Sequence, residues 1–422
     1  MSSATIDRAA REAVAACVDV AAPSPLDVVD GVAPGLVARP TTTEEVARVL
    51  RAAAAHGLSV VPRGRGTKLD WGMPPRSLDV LLDLSGLSGV TEHAAGDLIV
   101  SARAGTPLTE VQAHVGRSGQ RLLVDETVPG ATVGGTIASG TSGPGRLVAG
   151  TARDLLIGLT VVRADGTVAK AGGKVVKNVA GYDLGKLMVG SFGTLAVVTE
   201  ATFRLHPVPA ARRWASVPVE DPSRVHELVQ RVVHSQAVPA AVEVDWPGGA
   251  GGVLTVLVEG RAAGVEARAA TVRDLLGAAG TATEAEEPPA GWGSYPWADA
   301  AREGRTALKL TCTLSGIGDV LRSAREGGDE APVAVRGSAG AGVLYAALPA
   351  AAPVDAVARV VGRLRAACRR HGGAAVVLDG PAAVKEAVDL WGPVPALDLM
   401  RRVKDQFDPE HRLSPGRFVG GI

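Results

Sequence analysis

The segment Pro62–Gly72, PRGRGTKLDWG, sets Arg63, Arg65, Thr67 and Lys68 among Gly64 and Gly66. Glycine lets backbone amides come close to a ligand, and the basic side chains add positive charge. That combination suits a phosphate. An exposed, solvated turn has the same composition, so the loop by itself leaves both readings open. Two more glycine-rich stretches, Pro129–Gly145 and Gly181–Val198, lie in the same half of the chain. Three such stretches together suit a long ligand that carries a pyrophosphate and a flat ring system. Metal chemistry has less to work with. Cys17, Cys312 and Cys368 are far apart and form no CxxC, so the chain by itself holds neither an iron–sulfur cluster nor a structural zinc. The histidines form no cluster: His226 and His234 lie eight apart on a predicted surface helix, and His371 ends another.

The elements that position the first loop are a helix and a strand. PTTTEEVARVLRAAAAHG offers a capping box through Thr41 and Glu44 or Thr42 and Glu45. Val46, Val49, Leu50 and Ala53 fall on one face, and Gly57 ends the helix. The apolar run Leu58–Val61 then leads into the loop, with no strong helix after it. In a Rossmann unit the glycines follow a strand and open the helix directly, so this order argues against a nicotinamide-type fold. Farther on, Thr106 and Pro107 predict a helix start, with Pro107 at the first helical position, and that helix ends near Gly119. A short helix is predicted to begin at Val133, inside the second glycine stretch. Asp165-Gly166 predicts a hairpin turn.

From about Arg212 the pattern changes to strand, helix, strand, strand, helix. The pattern recurs after a linker, EAEEPPAGWGSYP, and ends on the strand AAVVLDG. That is a weak internal repeat of split βαβ type, as in ferredoxin-like units. A chain of 422 residues predicts two or three domains. Lys plus Arg and Asp plus Glu balance at 44 each, which gives no overall electrostatic case for nucleic acid or an anionic membrane. No apolar run approaches ~20 residues, and no basic start precedes a long apolar core. The expectation is a soluble cytoplasmic protein, with any membrane association through partners.

PRGRGTKL, VPGATVGGTIASGTSG, GTARDLLIGLTVVRADG and KNVAGYDLGKLMVGSFGTLAVVTEATFRLHPVP, in this order and spacing, resemble the flavin-binding domain of the vanillyl-alcohol oxidase/p-cresol methylhydroxylase superfamily. The resemblance covers roughly the first half. The closing FDPEHRLSPGRF is similar to the end of the superfamily's hydroxy-acid dehydrogenases. In detail the motifs are similar to those of the FAD-binding subunits of bacterial glycolate oxidases.

The resemblance implies an α+β fold. Residues 1–211 would form a two-subdomain FAD-binding domain and residues 212–380 a ferredoxin-like α+β cap. Residues 381–422 would return to the FAD domain. It makes Arg63, Gly64, Arg65, Gly66, Thr67 and Lys68 the pyrophosphate loop. Pro129, Gly130, Thr132, Gly134 and Gly135 would shape a second flavin-facing segment, extended by Ser139, Ser142 and Gly143. Thr151, Arg153 and Asp154 resemble a corner near the flavin, although Arg153 and Asp154 also suit a local ion pair. Val197 and Val198 match a strand whose backbone meets the cofactor, and they suit strand core as well. Lys177, Asn178 and Tyr182 are candidates for the substrate edge, with a solvated loop as the alternative. Trp71 suits packing more than covering the cofactor. Asp398, Arg401, Arg402 and Lys404 suit a solvated helix face.

Two departures bear on function. Relatives that tether FAD covalently carry a His in the first loop or a Cys elsewhere. Here Thr67, Lys68 and Leu69 follow Gly66 and the cysteines lie outside the flavin motifs, so FAD is expected to be non-covalent. The chain also lacks the H-x-G-D-G-N-x-H motif of catalytic 2-hydroxy-acid dehydrogenases, and Ser414 stands where relatives have Asn. One implied function is a FAD-dependent oxidoreductase subunit acting on a small 2-hydroxy acid such as glycolate. It would work with a second flavin subunit and pass electrons to an iron–sulfur subunit. A non-catalytic FAD-binding assembly or electron-relay subunit is the second, which the missing His motif favours. A stand-alone flavin-dependent alcohol oxidase is the third.

Overall fold

The computed structural model describes residues 6–173, 183–249, 251–297, 304–327 and 330–422. The chain divides into two compact units. One comprises Met1–Thr141, Thr151–Val208 and Val394–Ile422; the other comprises Ser142–Gly150 and Pro209–Pro393.

In the first unit, a four-stranded sheet runs in the order Asp19–Ala21, Leu36–Arg39, Val80–Asp83, Val60–Arg63. Its last three strands are parallel. The helix Thr43–Ala55 covers one face, burying Val46, Val49, Leu50 and Ala53 in one core with Leu36, Val60, Val80 and Leu82. Thr42 is the cap: its hydroxyl accepts from the Glu45 amide at 3.1 Å. Glu45 reaches back to the amide and hydroxyl of Thr41 rather than to Thr42, so the Thr42–Glu45 box is formed by half and the carboxylate of that box serves Thr41. Gly57, at φ +65°, supplies the left-handed turn that ends the helix.

A second, antiparallel sheet runs Val90–Ala94, Ile99–Arg103, Val197–Arg204, Leu156–Val162, Val168–Gly172. Its hairpin turns at Gly166, φ +78°, with the Asp165 carboxylate accepting from the Thr167 amide. Pro107 caps the helix Leu108–Gly116 instead of occupying its first turn, because its ψ of 141° is not helical; the Leu108 amide donates to the Ala131 carbonyl outside the helix.

The second unit contains an eight-stranded sheet in the order Thr283–Ala285, Ala211–Val219, Gly252–Gly260, Ala241–Trp246, Ala334–Ser338, Val343–Leu348, Thr306–Thr311, Ala375–Asp379. Each half of that order is one βαββαβ unit, and the two meet at their second strands. The repeat pattern read from the sequence is therefore present in the topology. Helices Ala262–Leu276, Pro222–Val233, Ile317–Gly327 and Val354–Arg370 pack side by side in that order. One strand escapes sequence reading: Thr283–Ala285 overlaps the supposed linker and pairs with Ala211–Val219. All three of its residues are exposed, so no apolar alternation marks it. No described helix is long and apolar enough to cross a membrane.

Candidate functional site

The strand Val60–Arg63 ends in the glycine loop, and the loop forms the wall of a cleft within the first unit. The cleft's volume is about 850 Å³, counting space open to solvent. Arg63 to Leu69 line one side; Thr132, Gly134, Gly135 and Ser139 line a second. Phe192, Gly193, Val198, Ser414 and Arg417 complete it.

The chemistry of the loop is in its backbone. Among the described residues, the amides of Gly64, Arg65, Gly66 and Thr67 take no hydrogen-bond partner. Gly66 sits at φ +70°, so the chain turns these amides through a left-handed residue, the geometry of an anion-binding nest. A Cβ on Gly64 would run into Thr132 Oγ1. Only glycine lets the loop and the second glycine segment come this close. The residues present therefore fit a diphosphate-bearing ligand.

Arg63 contributes to this loop by a route the sequence does not show. Its guanidinium bonds Asp27 at 2.7 Å and Asp83 at 2.8 Å, and all three side chains are nearly buried. Its charge is used to fix the strand end, and only its backbone and stem are left to the cleft. Burial pushes the Asp27 carboxyl up, but the bonds from Ser24 and Arg63 outweigh that and hold it below the usual carboxylate range.

The second segment is fixed just as tightly. Thr132 caps the helix Val133–Ser139, while the Val133 and Gly134 amides donate to the carbonyls of Thr106 and Ala104. A Cβ on Gly134 would lie 2.8 Å from the Ala104 Cβ, so this glycine lets the helix pack against Ala104 in the cleft wall. Gly130 is near the loop, its would-be Cβ 3.6 Å from Thr67 Cγ2, but neither it nor Pro129 lines the cleft.

The remaining expected residues are dispersed. Thr151 and Asp154 form a capping box on the helix Ala152–Leu155, in which Asp154 accepts from the Thr151 amide at 2.7 Å. Those bonds hold the Asp154 carboxyl below its ordinary range. Arg153 is exposed on that helix, and its charge adds to the Thr151 bonds in holding the Asp154 carboxyl down. None of the three lines the cleft. Val197 is core, while Val198 faces the cleft. Ser142 and Gly143 belong to the second unit and line a different cavity there. Trp71 is buried. Lys177, Asn178 and Tyr182 lie outside the described residues.

The C-terminal tail supplies what sequence reasoning missed. The Val60 amide donates to the Arg412 carbonyl and the Ser414 amide to the Val60 carbonyl, so the tail runs beside the strand that feeds the loop. Ser414, at φ +45° and 1% exposed, then faces the cleft. Arg417 braces the loop from behind by donating to the carbonyls of Leu69 and Trp71. Lys404 corrects the expectation of a solvated face. It is fully buried, donating to Asp408 at 2.7 Å, to the Thr194 carbonyl at 2.6 Å and to the Leu413 carbonyl at 3.0 Å. Burial pulls its pKa down against the attraction of Asp408. The signal was available: Leu397, Met400, Lys404 and Phe407 share one helical face. Asp398, Arg401 and Arg402 are exposed, as a solvated face requires.

A nest of backbone amides without partners among the described residues, in a unit of several sheets, in a chain that also builds a doubled βαββαβ sheet, defines a dinucleotide-binding α+β protein outside the Rossmann class. The chain belongs to the FAD-linked oxidase family: the family of FAD linked oxidases, C-terminal domain, matches residues 208–418, and the FAD binding domain family matches residues 34–172. The fold is that of p-cresol methylhydroxylase, with a TM-score of 0.76 at 15% identity over 97% of this chain and 96% of the other. Chitooligosaccharide oxidase gives 0.68 at 18% identity over 96% and 98%.

Among curated relatives, glycolate oxidase subunit GlcD of Bacillus subtilis is 33% identical over 50% of this chain and 45% of its own length. Glycolate oxidase subunit GlcE of Escherichia coli is 40% identical over 31% and 38%. Mitochondrial D-lactate dehydrogenase [cytochrome] 1 of Saccharomyces cerevisiae is 35% identical over 44% and 32%. Each of these matches spans less than half of the relative.

Proposed function

We propose that this chain is the FAD-binding subunit of a glycolate oxidase-type complex that oxidises a small 2-hydroxy acid and passes electrons to an iron–sulfur partner. The observation that carries the flavin part is the run of unpartnered amides from Gly64 to Thr67 along the cleft. The similarity to GlcD, GlcE and a D-lactate dehydrogenase supports the substrate class and the complex.

Bound FAD supplies the acceptor for the hydride that leaves the hydroxyl-bearing carbon. This chain's residues do the holding. The amides of Gly64 to Thr67 bind diphosphate oxygens, and Arg65 and Lys68 add counter-charge. Gly64 keeps the two walls of the cleft in register by leaving room for Thr132. The cofactor is held without a covalent bond. Burial pushes the Cys312 thiol up to about 11 and the Cys368 thiol up to about 12, so neither offers a thiolate at neutral pH. A second reading, a FAD-binding relay subunit whose partner does the oxidation, is favoured by the lack of an H-x-G-D-G-N-x-H motif.

Anaerobic flavin reduction by glycolate and D-lactate, for the isolated chain and for its natural complex, tests both readings. We expect a yellow protein that releases FAD on acid precipitation, with slow bleaching alone and fast bleaching in the complex. A chain that takes up no flavin would sink the proposal. Fast bleaching of the isolated chain would remove the need for partners in substrate oxidation. A complex whose flavin neither acid bleaches would remove the substrate class.

A further inference from the structure

Among the described residues that line the cleft, Phe192 is the one aromatic, and it stands at an unusual place in the chain. Ser191 to Thr194 form a turn, closed by the Thr194 amide donating to the Ser191 carbonyl at 3.0 Å. Both central residues are left-handed, Phe192 at φ +56° and Gly193 at φ +70°. Two left-handed residues in succession are the province of Asn-Gly, Asp-Gly or Gly-Gly, because the Cβ of other residues crowds the following carbonyl. A phenylalanine in the first position is an outlier that its surroundings must impose.

The surroundings do impose it. The Phe192 amide donates to the Ala138 carbonyl at 2.9 Å, near the end of the helix Val133–Ser139. A Cβ on Gly193 would lie 2.9 Å from Pro62 Cγ and 3.3 Å from Ser414 Oγ, so the turn is wedged between the strand that feeds the glycine loop and the C-terminal tail. The Phe192 ring stacks on Phe418, with centroids 5.3 Å apart and planes at 28°. A Cβ on Gly72 would lie 3.4 Å from Phe192 Cε1, so the end of the glycine loop also rests against the ring. Helix, loop and tail all hold this ring, and yet the residue stays half-buried at the cleft. A ring needed only for packing gains most from full burial, which Phe192 forgoes.

The helix also sets a distance. Gly134, at its start, lines the cleft beside Thr132, whose hydroxyl meets Gly64 of the nest. Ala138, the anchor of Phe192, comes four residues later, about 6 Å along the helix axis. A pentose or a ribityl chain spans such a gap between a diphosphate and its ring. We propose that Phe192 stacks on a flat heteroaromatic ring of the bound dinucleotide, isoalloxazine or adenine, and so fixes that ring relative to the amides of Gly64 to Thr67. Phe418 backs the stack. The inference deepens the flavin part of the proposed function and rests on it.

Calorimetric titration of FAD, FMN and ADP into the flavin-free full chain tests this. Phe192→Leu should bind FAD roughly tenfold more weakly, the loss expected for one ring stack, while Phe192→Tyr should bind it as the wild type does. Phe192→Asn separates binding from folding, since asparagine suits a left-handed turn. It should keep the melting temperature of the flavin-free chain within a few degrees and still lose FAD affinity as Phe192→Leu does. The half-ligand in which the loss recurs identifies the ring: FMN for the isoalloxazine, ADP for the adenine. A loss confined to FAD, with neither half affected, would overturn direct stacking, as would equal losses in Phe192→Tyr and Phe192→Leu. A fall in melting temperature alongside every loss of affinity, Phe192→Asn included, would overturn it in favour of a purely structural role. Wild-type FAD affinity in Phe192→Leu and Phe192→Asn would overturn the assignment and leave the flavin reading standing. A wild-type chain that takes up no FAD would sink both.

Discussion

The cleft beside Arg63–Leu69 is built of backbone, and the cavity where the two βαββαβ halves of the second unit meet is built of side chains. In the cleft, four consecutive amides take no partner among the described residues while the nearest arginine, Arg63, is tied to Asp27 and Asp83. In the cavity, the lining arginines are partnered: Arg336 by Asp245 and Ser294, and Arg146 by Ser142. A backbone site is specified by where side chains must be absent, so glycine substitutions should damage it most. A set of paired side chains is specified by single functional groups, so truncations should.

The largest expected effect tests whether the backbone cleft stands on its own. It does not: Lys404 and Asp408 tie the Thr194 and Leu413 carbonyls together and so hold the tail against the strand that feeds the loop. Lys404→Met leaves Asp408 as an unpaired buried carboxylate and should cost about 3–5 kcal/mol. Urea unfolding measures this, and the Lys404→Met/Asp408→Asn double variant should recover much of it. An unchanged midpoint in the single variant would mean that the tail is held by the backbone alone.

Gly64→Val comes next. Its side chain has nowhere to go but into Thr132, an overpacking cost of about 1–3 kcal/mol. The loss of FAD per chain, read from visible absorbance, should exceed the loss of helical signal. Gly134→Val should behave differently, because its clash is with Ala104, whose carbonyl also accepts from the Gly134 amide and so ties the helix start to the sheet. There stability and FAD content should fall together. Full FAD content in Gly64→Val would erase the distinction between the two concavities.

How much was legible follows from the same distinction. PRGRGTKL and VPGATVGGTIASG could be read because a backbone site leaves glycines in runs, and the structure brings those runs to one cleft. The βαββαβ repeat was legible because four amphipathic helices alternate with apolar strands. The second cavity was not, because Arg146, Glu243 and Ser338 become neighbours only through strand register. Its one trace is in AVEVDW and AVRGS, where Glu243 and Asp245, and Arg336 and Ser338, sit at alternate places of strands that pair on both sides. Thr151 and Asp154 could not be assigned from sequence because a capping box, which they form, and a ligand corner use the same residue types. Lys404 was misjudged because charge was weighed ahead of helical phase.

The smallest expected effect asks where the charge of Arg63 is used. The Asp27 carboxyl is held below its ordinary pKa, with the bonds from Ser24 and Arg63 outweighing burial. For a depressed carboxylate, stability is fully present above the unfolded value near ~3.9 and is lost as pH falls through the folded value. Melting temperature should therefore be flat above about pH 5 and decline below about pH 4. Asp27→Asn should flatten part of that decline, while costing about 1–2 kcal/mol at pH 7 for the lost charged hydrogen bonds. If Arg63 serves only the fold, the Asp27-dependent part of the decline is the same size with and without FAD. If FAD loading shrinks it, the guanidinium is shared with the diphosphate, and the cleft is then a side-chain site as well.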